Sequence, residues 1–253
     1  MIFQNQLLQA LPAQDLKTLA PHLERIVLKA GQRLVRAHRP IDYIYFPETA
    51  LCSVIIVSGE LDLECIVFGR DGMSGTALLV NDESTFDCSV TVNGAALRIP
   101  AEQFSEFLGT HPYTVMLLRR YVQAEHIQMA YSGLAGGRTK MELRVARWLL
   151  MACDRLDNNN IKITQRDLAR LLGVRRPGLT ECLNRLEGHR LIKSARGEIR
   201  ITDRQGLTEL AGAPYGDAER EYQRLMGFPP GSYVATLRRN SFDNEKSSAR
   251  GGH

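Results

Sequence analysis

The stretch that most constrains this chain is residues 163–187, I-T-Q-R-D-L-A-R-L-L-G-V-R-R-P-G-L-T-E-C-L-N-R-L-E. Thr164 with Asp167 three residues on is a capping-box-like helix start, in which the hydroxyl takes up a free backbone N–H. Leu168, Leu171 and Leu172 give that helix an apolar face. Ala169 lies on the same face, where a small side chain lets a second helix approach closely. Gly173, four residues later, can take the positive φ of a tight turn. Leu179, six residues further, would plug the angle between the helices. This spacing predicts a helix-turn-helix. In its second helix Leu179, Cys182, Leu183 and Leu186 recur at helical spacing and face inward, leaving Gly178, Thr180, Glu181, Asn184 and Arg185 on other faces. Arg175, Arg176 and Pro177 open that helix, at the end such a motif puts into the major groove.

Charge points the same way. Residues 138–206 carry 16 Lys and Arg against 8 Asp and Glu, whereas residues 1–137 carry 10 against 14 and residues 207–253 carry 6 against 6. The basic excess of a chain with net charge +4 thus sits in one segment. Such a segment favours a nearby polyanion, of which DNA is the commonest. After the two helices, residues 191–194 and 199–202 read as short strands joined at Ala195-Arg196-Gly197-Glu198, a β-hairpin or wing. Lys193, Arg196 and Arg200 are placed there to meet phosphates, and Thr164 and Gln165 at the first helix start join the candidate DNA contacts.

Upstream the pattern changes. Residues 1–24 read as short helical turns punctuated by Pro12 and Pro21. From Ile26 to Ile99 short alternating runs are separated by glycines and prolines, which predicts a β-barrel or sandwich. Residues 101–108 form a short helix. A longer one opens near Pro112 and runs to about Leu134, before Gly136-Gly137. Val115, Leu118, Val122 and Met129 make a stripe on it, interrupted by Glu125. That stripe suits either packing on the barrel or a seam between two subunits. Residues 141–153 form an amphipathic helix. Tyr215, Ala218, Tyr222 and Leu225 share one helical face near the end, and residues 227–253 read as disordered. The chain divides at 1–110, 111–137, 138–206 and 207–253, the last a C-terminal helix and disordered tail, and its class is α+β.

Several classes find no support. No apolar run approaches the ~20 residues of a membrane span, and the first 25 residues show no secretory core. A cytoplasmic protein is expected. Five scattered cysteines, none in CxxC spacing, argue for free thiols and against zinc or iron–sulfur sites. No GxSxG, HExxH or Walker lysine is present, so no enzyme and no cofactor is expected.

The order barrel, long helix, winged helix-turn-helix resembles the Crp/Fnr family of bacterial transcription regulators over roughly residues 20–205. The match is most specific in I-T-Q-R-D-L-A-R-L-L-G-V-R-R, with Leu179 and Leu191-Ile192. The front half also resembles a subgroup with I-Y-F-P (44–47) and G-R-D-G-M-S-G (69–75). The resemblance implies a cyclic-nucleotide-binding-like β-roll, a long helix that pairs two subunits, and a homodimer on an inverted-repeat operator. It implies Arg176 as the groove arginine, facing guanine, with Glu181 placed to accept from a cytosine. Pro177 and Glu181 depart from the family pattern, so the operator should differ from its best-known consensus.

The nucleotide signature departs more. Gly75 matches the family's glycine, but Thr76 stands at its glutamate and Phe86-Asp87 near its arginine. From Asp71 through Leu97 there is no Lys, Arg or His at all. A cyclic phosphate there would meet repulsion instead of a bidentate partner. The effector-pocket candidates are Gly72, Gly75, Thr76, Asp87 and Cys88, with cyclic AMP not expected. Residues 1–51 hold no cysteine for an iron–sulfur sensor, and His22, His38, Cys65 and Cys88 are conceivable axial ligands for haem. Two other inputs remain open: thiol redox through Cys182, and a small molecule held at residues 69–90. RNA polymerase is a partner if the protein activates.

Overall fold

The computed structural model describes residues 3–59 and 61–232. Two short helices, α1 (Gln6–Gln9) and α2 (Ala13–Leu19), lead through a 3-10 turn at Ala20–His22 into the strands. The strands are β1 (Glu24–Leu28), β2 (Arg33–Val35), β3 (Tyr43–Pro47), β4 (Leu51–Ser58), β5 (Leu61–Phe68), β6 (Asp87–Val92) and β7 (Gly94–Pro100). They form two antiparallel sheets, one ordered β1-β7-β3 and one β2-β6-β4-β5. The sequence expectation of a short-stranded β unit therefore holds. Between the sheets lies a core that includes Ile44, Phe46, Phe68, Leu97 and Phe104.

Helix α3 (Ala101–Thr110) follows, then α4 (Pro112–Arg138), the longest element. It does not stop at Leu134 as the glycines suggested. Gly133, Gly136 and Gly137 sit inside it on an open face. The glycine penalty of roughly 1 kcal/mol each is spread over a 27-residue helix that packing holds on its other side. The buried face of α4 is Thr114, Leu118, Tyr121, Ala124, Glu125 and Gln128. Leu118, 1% exposed, therefore packs inside its own chain and cannot serve as a seam residue; Val115, Val122 and Met129 are only half-covered, and Met129 packs on the same core.

The second module begins with α5 (Met141–Leu156), which buries Trp148, Leu149, Leu150 and Cys153. Strand β8 (Asn160–Ile161), α6 (Gln165–Leu171), α7 (Arg176–Gly188), β9 (Ile192–Ala195) and β10 (Glu198–Ile201) complete it. The sheet order is β8-β10-β9, so the wing has three strands rather than the expected two. Its core takes in Leu51, Ile55, Val67 and Val92 from the outer face of the large sheet. The two modules thus share apolar packing.

The chain closes with α8 (Arg204–Ala211) and α9 (Asp217–Met226). Helix α9 lies on α4, burying Ala218, Tyr222 and Met226, and Tyr222 meets Tyr121 edge-on. Residues 227–232 are not disordered as expected. Phe228 packs on Tyr222, and Gly231 exchanges two hydrogen bonds with the Gln6 side chain. The remainder of that expectation, 233–253, lies outside the described residues.

Candidate nucleic-acid interface and sensor pocket

The helix-turn-helix forms by the local chemistry its sequence carries. Thr164 caps α6, its hydroxyl accepting from the Asp167 N–H at 3.1 Å and donating to the Asp167 carboxylate at 2.5 Å. Ala169 is 4% exposed, and Gly173 turns the chain at φ +61. Leu179, Cys182 and Leu183 are fully buried beneath α7. Pro177 lies in the first turn of α7, where its missing N–H costs nothing. In the wing, β9 and β10 are joined by Arg196-Gly197, with Gly197 at φ +77.

The exposed side of this module sorts the candidate contacts. Arg175 is the N-cap of α7 and Arg176 its first residue; both are exposed, as are Lys193 and Arg196 on the wing. Among the described residues none of these four forms an ion pair. The first turn of α7 holds no acidic residue. Arg175 and Arg176 therefore stand at the positive end of a helix dipole with no acidic residue in the first turn to offset them.

Other candidates are already engaged. Arg185 pairs with Glu181 at 2.5 Å and with Glu142 of α5 at 2.6 Å, so its charge is compensated inside the module, and Glu181 is its partner. The Thr180 hydroxyl donates to Gln165 at 2.8 Å, tying α7 to α6. Gly178 faces Met141 of α5, where a Cβ would stand 3.4 Å from the methyl carbon, and so looks into the module. Cys182 is 0% exposed and burial pushes its thiol up to about 11, which corrects the reading of it as an accessible redox switch.

The front module holds a cavity of about 340 Å³. Gly75, Thr76 and Cys88 line it. Gly72 and Asp87 do not. A Cβ on Gly72 would strike the Tyr121 hydroxyl at 2.2 Å, and the Asp87 carboxylate is held by the Ala37 N–H at 2.8 Å and by Arg33 at 3.6 Å. The walls are largely apolar, with Val35, Val54, Ile66, Phe86, Val122 and Met129. Their polar groups come partly from α4, as Glu125 and His126, which the sequence reading did not assign. The available signal was Glu125 itself, the one acid breaking the apolar stripe. Desolvation raises its carboxyl to about 8, against hydrogen bonds from Thr76 and Tyr121, so it is mostly neutral at pH 7. No Lys or Arg lines the cavity among the described residues.

The G-R-D-G-M-S-G run is a junction. Asp71 accepts from the Gly69 N–H at 2.8 Å and pairs with Arg155 of α5 at 3.1 Å, both side chains almost fully buried. Tyr222 of α9 donates to the Asp71 carbonyl, and Tyr121 of α4 accepts from the Met73 N–H at 3.3 Å. His22 and His38 are exposed and Cys65 and Cys88 are buried, and no cluster able to hold a metal occurs among the described residues.

Residues 143–210 match the Crp-like helix-turn-helix domain. The HTH-type transcriptional regulator Cmr of Mycobacterium tuberculosis is 26% identical over 198 residues, 76% of this chain and 78% of that one. Two solved structures share the fold. A Crp/Fnr family regulator from Eubacterium rectale superposes with TM-score 0.62 at 19% identity, covering 81% of this chain and 97% of that one. FixK2 from Bradyrhizobium japonicum gives 0.65 at 16% identity, covering 76% and 98%. The chain thus carries a Crp-like helix-turn-helix domain behind a short-stranded β module and is similar to transcriptional regulators of the Crp/Fnr family.

Proposed function

We propose that this regulator binds an inverted-repeat DNA site as a homodimer, with residues 1–110 as sensor, 111–137 as dimerisation helix, 138–206 as the DNA-binding unit and 207–253 as a C-terminal segment. The observation that carries the reading is the start of α7, where Arg175 and Arg176 are exposed and unpaired at the positive helix end. A phosphate or a guanine edge relieves that repulsion. Arg176 takes the base-reading role, Arg175, Lys193 and Arg196 hold phosphates, and Thr164 and Gln165 border the groove from α6. Half-site centres lie about one DNA turn apart.

Pairing uses the exposed face of α4. Tyr113, Met116, Arg120, Gln123, Ile127, Ala130 and Leu134 follow a 3–4 alternation, and none is buried in the single chain. Tyr113 is 72%, Met116 51% and Leu134 49% exposed. This register replaces the stripe through Leu118.

The signal is not cyclic AMP. A cavity without Lys or Arg, holding Glu83 and a largely neutral Glu125, disfavours a cyclic phosphate and suits an uncharged, mainly apolar molecule. Occupancy then shifts α4 through Glu125 and Val122, and with it the spacing of the two reading helices. The chain acts in the cytoplasm, consistent with no described helix being long and apolar enough to cross a membrane. Contact with RNA polymerase belongs to this reading only if the protein activates.

The test is operator selection from random duplexes with the full chain, reduced and without ligand. Recovery of a two-fold-symmetric site is expected. Recovery only of non-palindromic sequence, or of no sequence from a dimer shown to be intact, would refute the inverted-repeat reading.

A further inference from the structure

A second cleft, of about 340 Å³, opens between the C-terminal part of α4, α5 and the turn of the helix-turn-helix. Arg147 lines it and is 5% exposed. Its Nε donates to the Pro214 carbonyl at 2.9 Å and its Nη1 to Ser132, also in the cleft wall, at 3.4 Å. Its Nη2 is buried and has no hydrogen-bond partner among the described residues. A buried guanidinium ordinarily has all its donors engaged. Glu219 and Glu64 act on it only through space, and among the described residues it makes no ion pair. Both Glu64 oxygens already accept, one from Trp148 and one from Ser53. A second cation, Arg144, lines the same cleft with one amine on the Leu172 carbonyl.

The rest of the wall is apolar or bare. Leu63 is its exposed apolar residue, the largely buried Trp148, Met151 and Leu171 present only their edges to it, and at Gly133, Gly136 and Gly137 a Cβ would meet nothing within 4 Å.

We propose that this cleft is a binding site for a small organic anion, its carboxylate or phosphate end on Arg147 and Arg144 and its apolar body against Trp148 and Met151. The site lies on the joint between the modules, separate from the cavity at Thr76.

Trp148 is the sole tryptophan of the chain, so its emission reports this cleft directly. The full-length protein is titrated with benzoate, with phenyl phosphate and with matched sodium chloride, exciting the indole. A saturable change with at least one aromatic anion, absent with chloride, is expected, and the stronger of the two identifies the anionic end. Arg147→Gln should weaken that binding at least tenfold. Gly136→Leu, which fills the cleft and leaves every Arg147 bond in place, should abolish it and covers the case in which Arg147→Gln fails to fold. No saturable change with either anion, or an affinity unaltered by Gly136→Leu, overturns the proposal.

Discussion

Trp148 donates its indole N–H to Glu64 at 2.7 Å, joining α5 of the DNA-binding module to β5 of the sensor. Desolvation raises the Glu64 carboxyl to about 7; hydrogen bonds from Ser53 and Trp148 and the charges of Arg147 and Arg155 pull it back only in part. In the unfolded chain the group ionises near 4.5. Between those values the folded state holds more protons than the unfolded one, so stability declines as pH rises. The contribution is fully present below pH 4.5 and lost by passage through about 7. Glu64→Gln should flatten this decline and raise stability at pH 8 by about 2 kcal/mol. Urea unfolding at pH 5 and pH 8 checks it, and parallel pH curves for the variant and wild type would contradict it.

A turn residue gives a second expectation. Gly173 sits at φ +61, and a Cβ there would come 3.1 Å from a Leu63 methyl of the sensor. Gly173→Ala meets both the left-handed backbone penalty of about 1–2 kcal/mol and that methyl. The transition measured by calorimetry should move down by several degrees. An unchanged transition would mean the turn relaxes freely.

The helix-turn-helix was legible because its determinants are local. Thr164, Ala169, Gly173 and Leu179 act over sixteen residues, and each lies where the spacing put it. The β-roll was legible as alternation and punctuation. What could not be read was anything set by long-range packing. Leu118 fits a seam by period, yet the face of α4 it belongs to is chosen by Tyr121, Glu125 and Gln128, the last of which accepts from the Val67 N–H at 2.7 Å. Arg185 reads as a DNA contact until Glu142, far away in sequence, pairs with it. The order in residues 227–232 depends on Gln6, at the opposite end of the chain.

The two faces of α4 make opposite predictions. Met116→Glu with Leu134→Glu should convert a dimer to monomer with little change in the stability of the single chain, since both side chains are about half exposed. Leu118→Ala should instead cost about 2–5 kcal/mol of folding stability and leave association intact in whatever fraction remains folded. Analytical ultracentrifugation alongside chemical unfolding separates the two. A dimer surviving the double glutamate change would move the seam elsewhere.

The cysteines should be silent. All five are free and buried, and burial pushes Cys52, Cys65, Cys88, Cys153 and Cys182 up from the ordinary thiol range. Native protein should label with iodoacetamide far more slowly than unfolded protein, as read by mass spectrometry. Diamide should not alter DNA affinity. Rapid selective labelling of Cys182 with loss of DNA binding would restore the redox reading.

Base readout and phosphate attraction should separate in the binding data. Arg176 stands at the start of α7 with no acid beside it, whereas Lys193 and Arg196 project from the wing. Arg176→Ala should cost about 1–3 kcal/mol on the selected operator and relax the preference at one base pair per half-site. Lys193→Ala or Arg196→Ala should weaken every duplex alike and reduce the slope of log affinity against log salt by about 1 for each phosphate no longer neutralised. Arg185→Ala should differ from all three. Because its charge already faces Glu142 and Glu181, its removal should lower the module's stability by up to about 1 kcal/mol while leaving the salt slope unchanged. A salt slope that falls in Arg185→Ala as far as in Lys193→Ala would show that DNA draws Arg185 away from its two carboxylates.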